Sequence, residues 1–159
     1  LPTAAMATKK KPARVSGPQQ IKIAAFVFGG GMPRTLGMRL VSLSRKRVVA
    51  EMPVKDLHRN RTGRVNGGAI MAFADATAAA GAVANMPPGH RGGTVESKTN
   101  FFAPGLGPVL KAVSVPLHIG RTTSVWQTSI TNSGDGGGVA VVTQTQIYLP
   151  HKARAGSDE

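Results

Sequence analysis

Between Gly67 and Asn85 the chain reads GGAIMAFADATAAAGAVAN, nearly unbroken Ala relieved by Ile70, Met71, Phe73 and Val83, with Asp75 as its one charged residue. Alanine is the best helix former, and a helix that is apolar on every side belongs in an interior, so this stretch predicts a buried central helix. Asn66 stands where it can cap the first turn, and Pro87 and Pro88 end the helix. Upstream, Gly37–Val54 mixes Met38, Leu40, Val41, Leu43, Val48, Val49 and Met52 with Arg and Lys, the pattern of a long bent strand or a hairpin. Residues 55–66 hold Asp, His, Asn, Arg and Gly without periodicity and predict a loop. Downstream, Thr94–Phe102, Val109–His118, Thr122–Thr131 and Val139–Leu149 read as strands, punctuated by turn formers at Pro104–Pro108 and Asn132–Gly138. A strand region, one apolar helix and an antiparallel meander predict an α+β domain with its sheet wrapped about the helix.

Length and composition narrow this picture. A chain of 159 residues fits one domain, able to bury about two thirds of the surface its unfolded form exposes. With 41% hydrophobic but only 4% aromatic residues, the core must be built of Val, Ile, Leu, Met and Ala, which suits close backbone packing. Cysteine is absent, excluding a disulfide framework, a thiolate metal site and a cysteine nucleophile, and permitting the reducing, cytoplasmic location expected here. No apolar run is read as a membrane span of roughly 20 residues. Lys9, Lys10, Lys11 and Arg14 ahead of Ile21–Phe28 have the outline of an export signal, but that stretch is short, broken by Lys22 and followed by Gly29–Gly31 without a cleavage pattern. Residues 1–20 therefore read as a disordered basic arm, 21–150 as the domain, with regular structure starting near Leu36, and 151–159 as a disordered tail.

Charge adds a constraint on partners. The net charge of +13 draws polyanions, and nine of the 20 basic residues lie between Arg34 and Arg64, against only Glu51 and Asp56 there, which favours a local anion site. Nucleic acid is not expected as a partner: with one Trp and one Tyr the chain lacks stacking residues, and no recognition module is legible. Gly29–Gly31 lack the Lys-Ser/Thr of a phosphate loop, the four histidines have no metal-ligand spacing, and no Ser sits in a nucleophile elbow. No metal is expected.

Asp75 is the most informative residue. A carboxylate inside an apolar helix is costly unless paired or used, so it reads either as a structural acid paired with Arg59 or Arg64, or as a base that activates water or attacks an acyl carbon. Asn66, Gly67 and Gly68 add exposed N–H groups and the positive end of the helix dipole, suited to an anion or a developing oxyanion.

Taken together, Asn60-x-x-Gly63-x-x-Asn66-Gly67-Gly68-Ala69, Asp75 on the helix, Thr94-x-x-x-x-x-Asn100-Phe101-Phe102-x-Pro104 and His118-x-Gly120-Arg121 resemble the hotdog-fold thioesterases of the phenylacetate-degradation type, within the 4-hydroxybenzoyl-CoA thioesterase superfamily. The similarity runs from about Leu36 to Leu149. It implies a hotdog fold, hydrolysis of acyl-CoA thioesters without a cofactor beyond the coenzyme A of the substrate, and a homodimer, often paired into a tetramer, with each active site at the interface. By the same resemblance Asp75 is the catalytic base or nucleophile and Gly67 of the other subunit polarises the carbonyl. Asn60 stands near that carbonyl and Thr94 orients the water. Asn66, Gly68, Arg91, Gly120, Arg121 and Thr122 meet the substrate, the arginines taking coenzyme A phosphates. The family usually carries His where this chain has Asn66. A hotdog hydratase or dehydratase, with His58 as its base, is the nearest alternative, followed by a non-catalytic acyl-CoA or nucleic-acid binding protein. Phe73, Phe101 and Phe102 are candidates for the pocket wall, with core packing expected for at least two of them.

Overall fold

The computed structural model describes residues 15–151. In chain order the elements are α1 (Gly17–Phe28), α2 (Gly31–Thr35), β1 (Arg39–Ser44), β2 (Arg47–Pro53), a 3-10 turn (Asp56–His58), α3 (Gly67–Asn85), β3 (His90–Phe101), β4 (Val109–Ile119), β5 (Thr123–Asn132) and β6 (Gly138–Pro150). The six strands form one antiparallel sheet in the order β1-β2-β4-β5-β6-β3. Gly37–Val54 is a hairpin, and the four downstream strands lie where alternation placed them.

The sheet curves around α3 because both partners have the right residues for it. Strand positions alternate, with Ser124, Trp126, Thr128, Ile130 and Asn132 of β5 turned inward and buried. On α3, Phe73, Ala74, Ala76, Ala78 and Ala80 are buried, and the small side chains let the sheet approach the backbone. Gly81 shows how close: a Cβ there would lie 2.4 Å from the Trp126 indole, so only glycine fits beneath that ring. Trp126, Phe73, Met52, Leu110 and Ile130 are fully enclosed, each contributing about 1.5–3 kcal/mol relative to exposure. By length and composition α3 is also apolar enough to cross a membrane, against the reading that no run qualifies; here it is the core helix of the sheet.

Several polar inward residues on the sheet are linked in a hydrogen-bonded chain. Trp126 Nε1–H donates to Ser124 Oγ (3.0 Å), Ser124 and Tyr148 share a hydrogen bond of 2.8 Å, and Tyr148 OH donates to the Ala82 carbonyl (3.2 Å). Burial pushes the Tyr148 phenol above its ordinary value, against the opposing Ser124 bond, so it stays a donor.

The N-terminal boundary differs from expectation. Residues 1–14 and 152–159 lie outside the described residues, but Gly17–Gln20 open a helix and do not belong to an arm, and regular structure begins well before Leu36. The cause is local: Ser16 caps α1 and Gln19 reaches back to the cap in a capping box, with Pro18 in the first turn where it costs no hydrogen bond. Phe28 anchors the helix in the core. His151, the first residue of the expected tail, donates its N–H to the Gly89 carbonyl (2.9 Å).

Candidate active site

Asp75 faces out of α3 toward the start of β3, and it is half-buried. Neither Arg59 nor Arg64 pairs with it; among the described residues the ion pairs are Arg39–Glu51 (2.8 Å) and Arg59–Asp56 (4.0 Å). Its partners are neutral donors. Thr94 Oγ1 donates to Asp75 Oδ1 (2.7 Å), and Gln144 Nε2 donates to the same oxygen (3.1 Å). Gln146 Nε2 in turn donates to Thr94 Oγ1 (2.8 Å), so the only hydroxyl proton of Thr94 is aimed at the carboxylate. Thr94 pairs with Gln146 across β3 and β6, just ahead of an irregularity in the β3 register at Thr94/Glu96.

This set fixes one carboxylate oxygen and leaves the other for chemistry. Both donors converge on Oδ1, while Oδ2 has no partner among the described residues. Gln144 is fully buried, and its Oε1 is unpartnered, an arrangement that costs about 1–3 kcal/mol. Turning the amide over would set its oxygen against the carboxylate, so the donor to Asp75 holds the side chain in a conformation that stability alone disfavours. Gln144→Leu is therefore expected to lower kcat for the reaction at Asp75 by about tenfold while the melting temperature holds or rises, because a hydrogen bond to a charged group is lost together with a buried orphan oxygen. Steady-state assays beside thermal unfolding check this; a drop in melting temperature with unchanged kcat would make Gln144 merely structural.

A second cluster sits at the start of α3. Asn66 Oδ1 accepts from Gly68 N–H (2.8 Å), as a cap should, and the N–H groups of Ala69 and Ile70 bond to the Asn66 carbonyl. Gly68 therefore has no free backbone donor, against the exposed N–H expected there. Gly67 is the exception: its N–H meets no acceptor among the described residues, and it points from the positive end of the helix dipole. The Phe101 ring covers Gly67, 3.2 Å from where a Cβ would stand. Asn60 uses Oδ1 to hold its own loop, accepting from Thr62 N–H (2.9 Å), Thr62 Oγ1 (2.6 Å) and Arg64 N–H (3.3 Å). Arg61 and Arg64 lie exposed in that loop.

These clusters are separate within one chain. Gly67 precedes Asp75 by two helical turns, about 12 Å along the axis at roughly 1.5 Å per residue. The structure thus brings Asp75 and Thr94 together with Gln144 and Gln146, and groups Asn60, Asn66, Gly67 and Gly68 elsewhere.

The remaining expected substrate residues gather at one end of the sheet. Gly120, Arg121 and Thr122 form the β4–β5 turn, where Gly120 N–H bonds to Thr123 O (2.8 Å) and Thr122 O accepts from Tyr148 N–H (2.8 Å). A Cβ on Gly120 would crowd the tip of the exposed His118 side chain and stand 3.2 Å from the Thr123 carbonyl oxygen. Thr123 and Gly93 both pair with Ile147, and Arg91 pairs with Leu149, so Arg91 and the turn share an edge, two strands apart. Both arginines are exposed.

His58 is occupied. It is buried, its Nδ1 accepts from Lys55 N–H (2.7 Å) and its Nε2–H donates to Leu36 O (2.8 Å). The hydratase alternative thereby loses the histidine it needed. Phe73 lies in the core, as a packing residue, whereas Phe101 and Phe102 are exposed, so only one of the three packs as expected. Among the described residues no three His, Asp or Glu gather as a metal site. A cavity of about 810 Å³ opens beside Asp75 and Thr94, walled by α1, α2 and one face of α3.

A sequence profile of the thioesterase superfamily matches residues 62–139. Over 97 residues the chain is 35% identical to the proposed esterase ComA2 of Bacillus subtilis (strain 168), covering 60% of this chain and 76% of that protein. It is 42% identical over 80 residues to a proposed esterase of Deinococcus radiodurans, covering 48% of this chain but spanning only 44% of that relative's length. It is 26% identical over 102 residues to the 1,4-dihydroxy-2-naphthoyl-CoA hydrolase of Listeria monocytogenes serotype 1/2a (strain 10403S), covering 64% of this chain and 83% of that one. Among solved structures, the E. coli PaaI protein from the phenylacetic acid degradation operon superposes with a TM-score of 0.73 at 20% identity, covering 82% of this chain and 93% of that one. The sheet wrapped about α3 is the hotdog fold.

Proposed function

Because the chain belongs to the thioesterase superfamily, a family of thioester hydrolases, we propose that it hydrolyses acyl-CoA thioesters to the free acid and coenzyme A, with Asp75 as general base. The observation that carries this reading is a carboxylate on the cavity wall held through Oδ1 by Thr94 and Gln144, with Oδ2 unpartnered among the described residues. A water bound at Oδ2 attacks the thioester carbon and passes a proton to Asp75. The carbonyl oxygen becomes the oxyanion of a tetrahedral intermediate, which collapses to the acid and expels the coenzyme A thiolate; Asp75 returns the proton to that sulfur. Thr94 keeps one lone pair beyond the Gln146 bond, available to the second hydrogen of the water.

The oxyanion needs a donor, and the one spare N–H at the start of α3 is about 12 Å away along the helix. A second copy supplies it. β3 is twelve residues long, exposed along most of its length and, among the described residues, bonded to β6 alone, a sheet edge of the kind that pairs with another chain. Antiparallel self-pairing centred between Ser97 and Lys98 sets Thr94 of one copy opposite Phe101 of the other. Phe101 lies over Gly67, so this pairing carries the Gly67 N–H of one copy to the Asp75 of the other. Asn60 and its arginine-bearing loop travel with Gly67.

Arg91 and Arg121, on the shared sheet edge, suit the phosphates of coenzyme A, and the chain's net charge of +13 steers that anion toward the site. The chemistry needs no cofactor, and a cytoplasmic setting goes with it. Thiol release from a panel of short, long and aryl acyl-CoA thioesters tests the reading: catalytic release from at least one is expected, and rates equal to a protein-free control on every member would end it.

A further inference from the structure

The cavity beside Asp75 extends far beyond the reacting group. Its α3 wall is made by Ala72, Asp75, Ala76, Ala79, Ala82 and Val83, which recur at three- and four-residue steps along one helix face, and is continued by Met86 just past the helix end. From Asp75 to Met86 the groove follows α3 for about 16 Å, at roughly 1.5 Å per residue. Alanines give it depth, and Val27 of α1 with Met32 and Pro33 from α2 close the opposite side. Polar groups appear only at its two ends: Asp75, Thr94 and Gln146 at one, and the rim formed by His90, Arg91 and His151 at the other.

Two features say what fills it. Phe26 and Met32 line the groove 77% and 62% exposed, large apolar side chains uncovered among the described residues and suited to contact with an apolar ligand. The groove carries no cation between its two ends, and Arg91 stands exposed at the far rim, where a phosphate keeps its contact with solvent. The phosphate-bearing half of a thioester held at Asp75 then lies outside, and the acyl half enters the groove.

We propose that this groove is the acyl pocket, that α1 and α2 are its specificity-determining wall, and that the substrate is a long unbranched acyl-CoA, in preference to a short or aryl one. The proposal rests on the thioesterase reading for its reaction, but the groove's preference for a chain can be measured without turnover. Each buried methylene adds a roughly two- to fourfold gain in affinity or kcat/KM.

Calorimetric binding of butyl-CoA and dodecyl-CoA thioethers, which cannot be hydrolysed, is the first arm, and kcat/KM for butyryl-, dodecanoyl- and phenylacetyl-CoA is the second. The parent should bind the dodecyl thioether at least a hundredfold more tightly than the butyl one. Ala79→Phe, which fills the groove, should cut that ratio at least tenfold. Phe26→Ala, at an exposed position where folding is not at risk, should weaken the dodecyl thioether more than the butyl one. Hydrolysis should rank dodecanoyl-CoA above both other substrates. The proposal is overturned if the parent binds both thioethers alike, if phenylacetyl-CoA is the best substrate, or if Ala79→Phe weakens both thioethers by the same factor, which assigns the groove to the pantetheine arm. Chain-selective binding with no hydrolysis of any substrate keeps the groove and removes the thioesterase reading instead.

Discussion

Asp75→Asn lowers kcat by about a hundredfold or more, the range expected when a general base is removed, while the protein keeps its fold and its melting temperature. The amide has the shape of the carboxylate, and its oxygen still accepts from Thr94 and Gln144, which donate at 2.7 and 3.1 Å to Oδ1 in the parent. What changes is the atom left unpartnered: an NH₂ group in place of Oδ2, without the basicity to take a proton from water. Losing a charge from a half-buried position on an apolar helix also removes a desolvation cost, so stability holds or rises. Thiol release under single-turnover conditions, together with thermal unfolding of the same preparation, separates the two effects. A variant as fast as the parent makes Asp75 a structural acid; a variant that unfolds leaves its role to Thr94→Val, which should slow turnover without removing the carboxylate.

Asp75 was legible in the sequence because a lone carboxylate in an Ala-rich helix has no cheap explanation, and the Asn66 cap and the proline stop marked where that helix starts and about where it ends. Its partners were not. Gln144 and Gln146 lie in the run Thr143-Gln144-Thr145-Gln146, polar on both faces of β6, so alternation gives no sign of which pair turns inward. Their contacts to Asp75 and Thr94 span 69 and 52 residues of chain, beyond any local pattern. Helix α1 did leave a signal, Ser16 with Gln19 three residues on and Pro18 between, but it sits next to Lys- and Pro-rich residues whose composition speaks for an arm. Missing α1 and α2 also hid the groove they wall. The exposed N–H expected at Gly68 is taken up for a reason visible only in coordinates: the Asn66 side chain accepts from it and leaves that of Gly67 free.

That free N–H allows the shared-site reading to be tested by complementation. Gly67→Pro deletes the donor with little structural cost, since Gly67 is the first residue of α3, where proline is favoured, and its N–H makes no bond within the chain. Asn66 already has the extended backbone that a following proline requires, at φ −63° and ψ 136°. The ring would press on the tip of the Phe101 side chain, which is exposed in the single chain. Alone, Gly67→Pro should lose about a hundredfold or more in kcat, as loss of an oxyanion donor does, and Asp75→Asn alone is similarly slow. When the two are co-expressed, half of the randomly assembled dimers are mixed, and each mixed dimer contains one site with both Asp75 and the Gly67 N–H intact. Activity should therefore return to about a quarter of the parent value per chain, an expectation that follows from two-fold exchange of identical surfaces. If each chain completed its own site, no mixed dimer would contain an intact one, and the mixture would stay as slow as its components. Recovery to about a quarter thus locates the oxyanion donor on the second chain, and a silent mixture of two folded dimeric variants returns it to the first, leaving the 12 Å of helix between Gly67 and Asp75 to be closed by a rearrangement of α3.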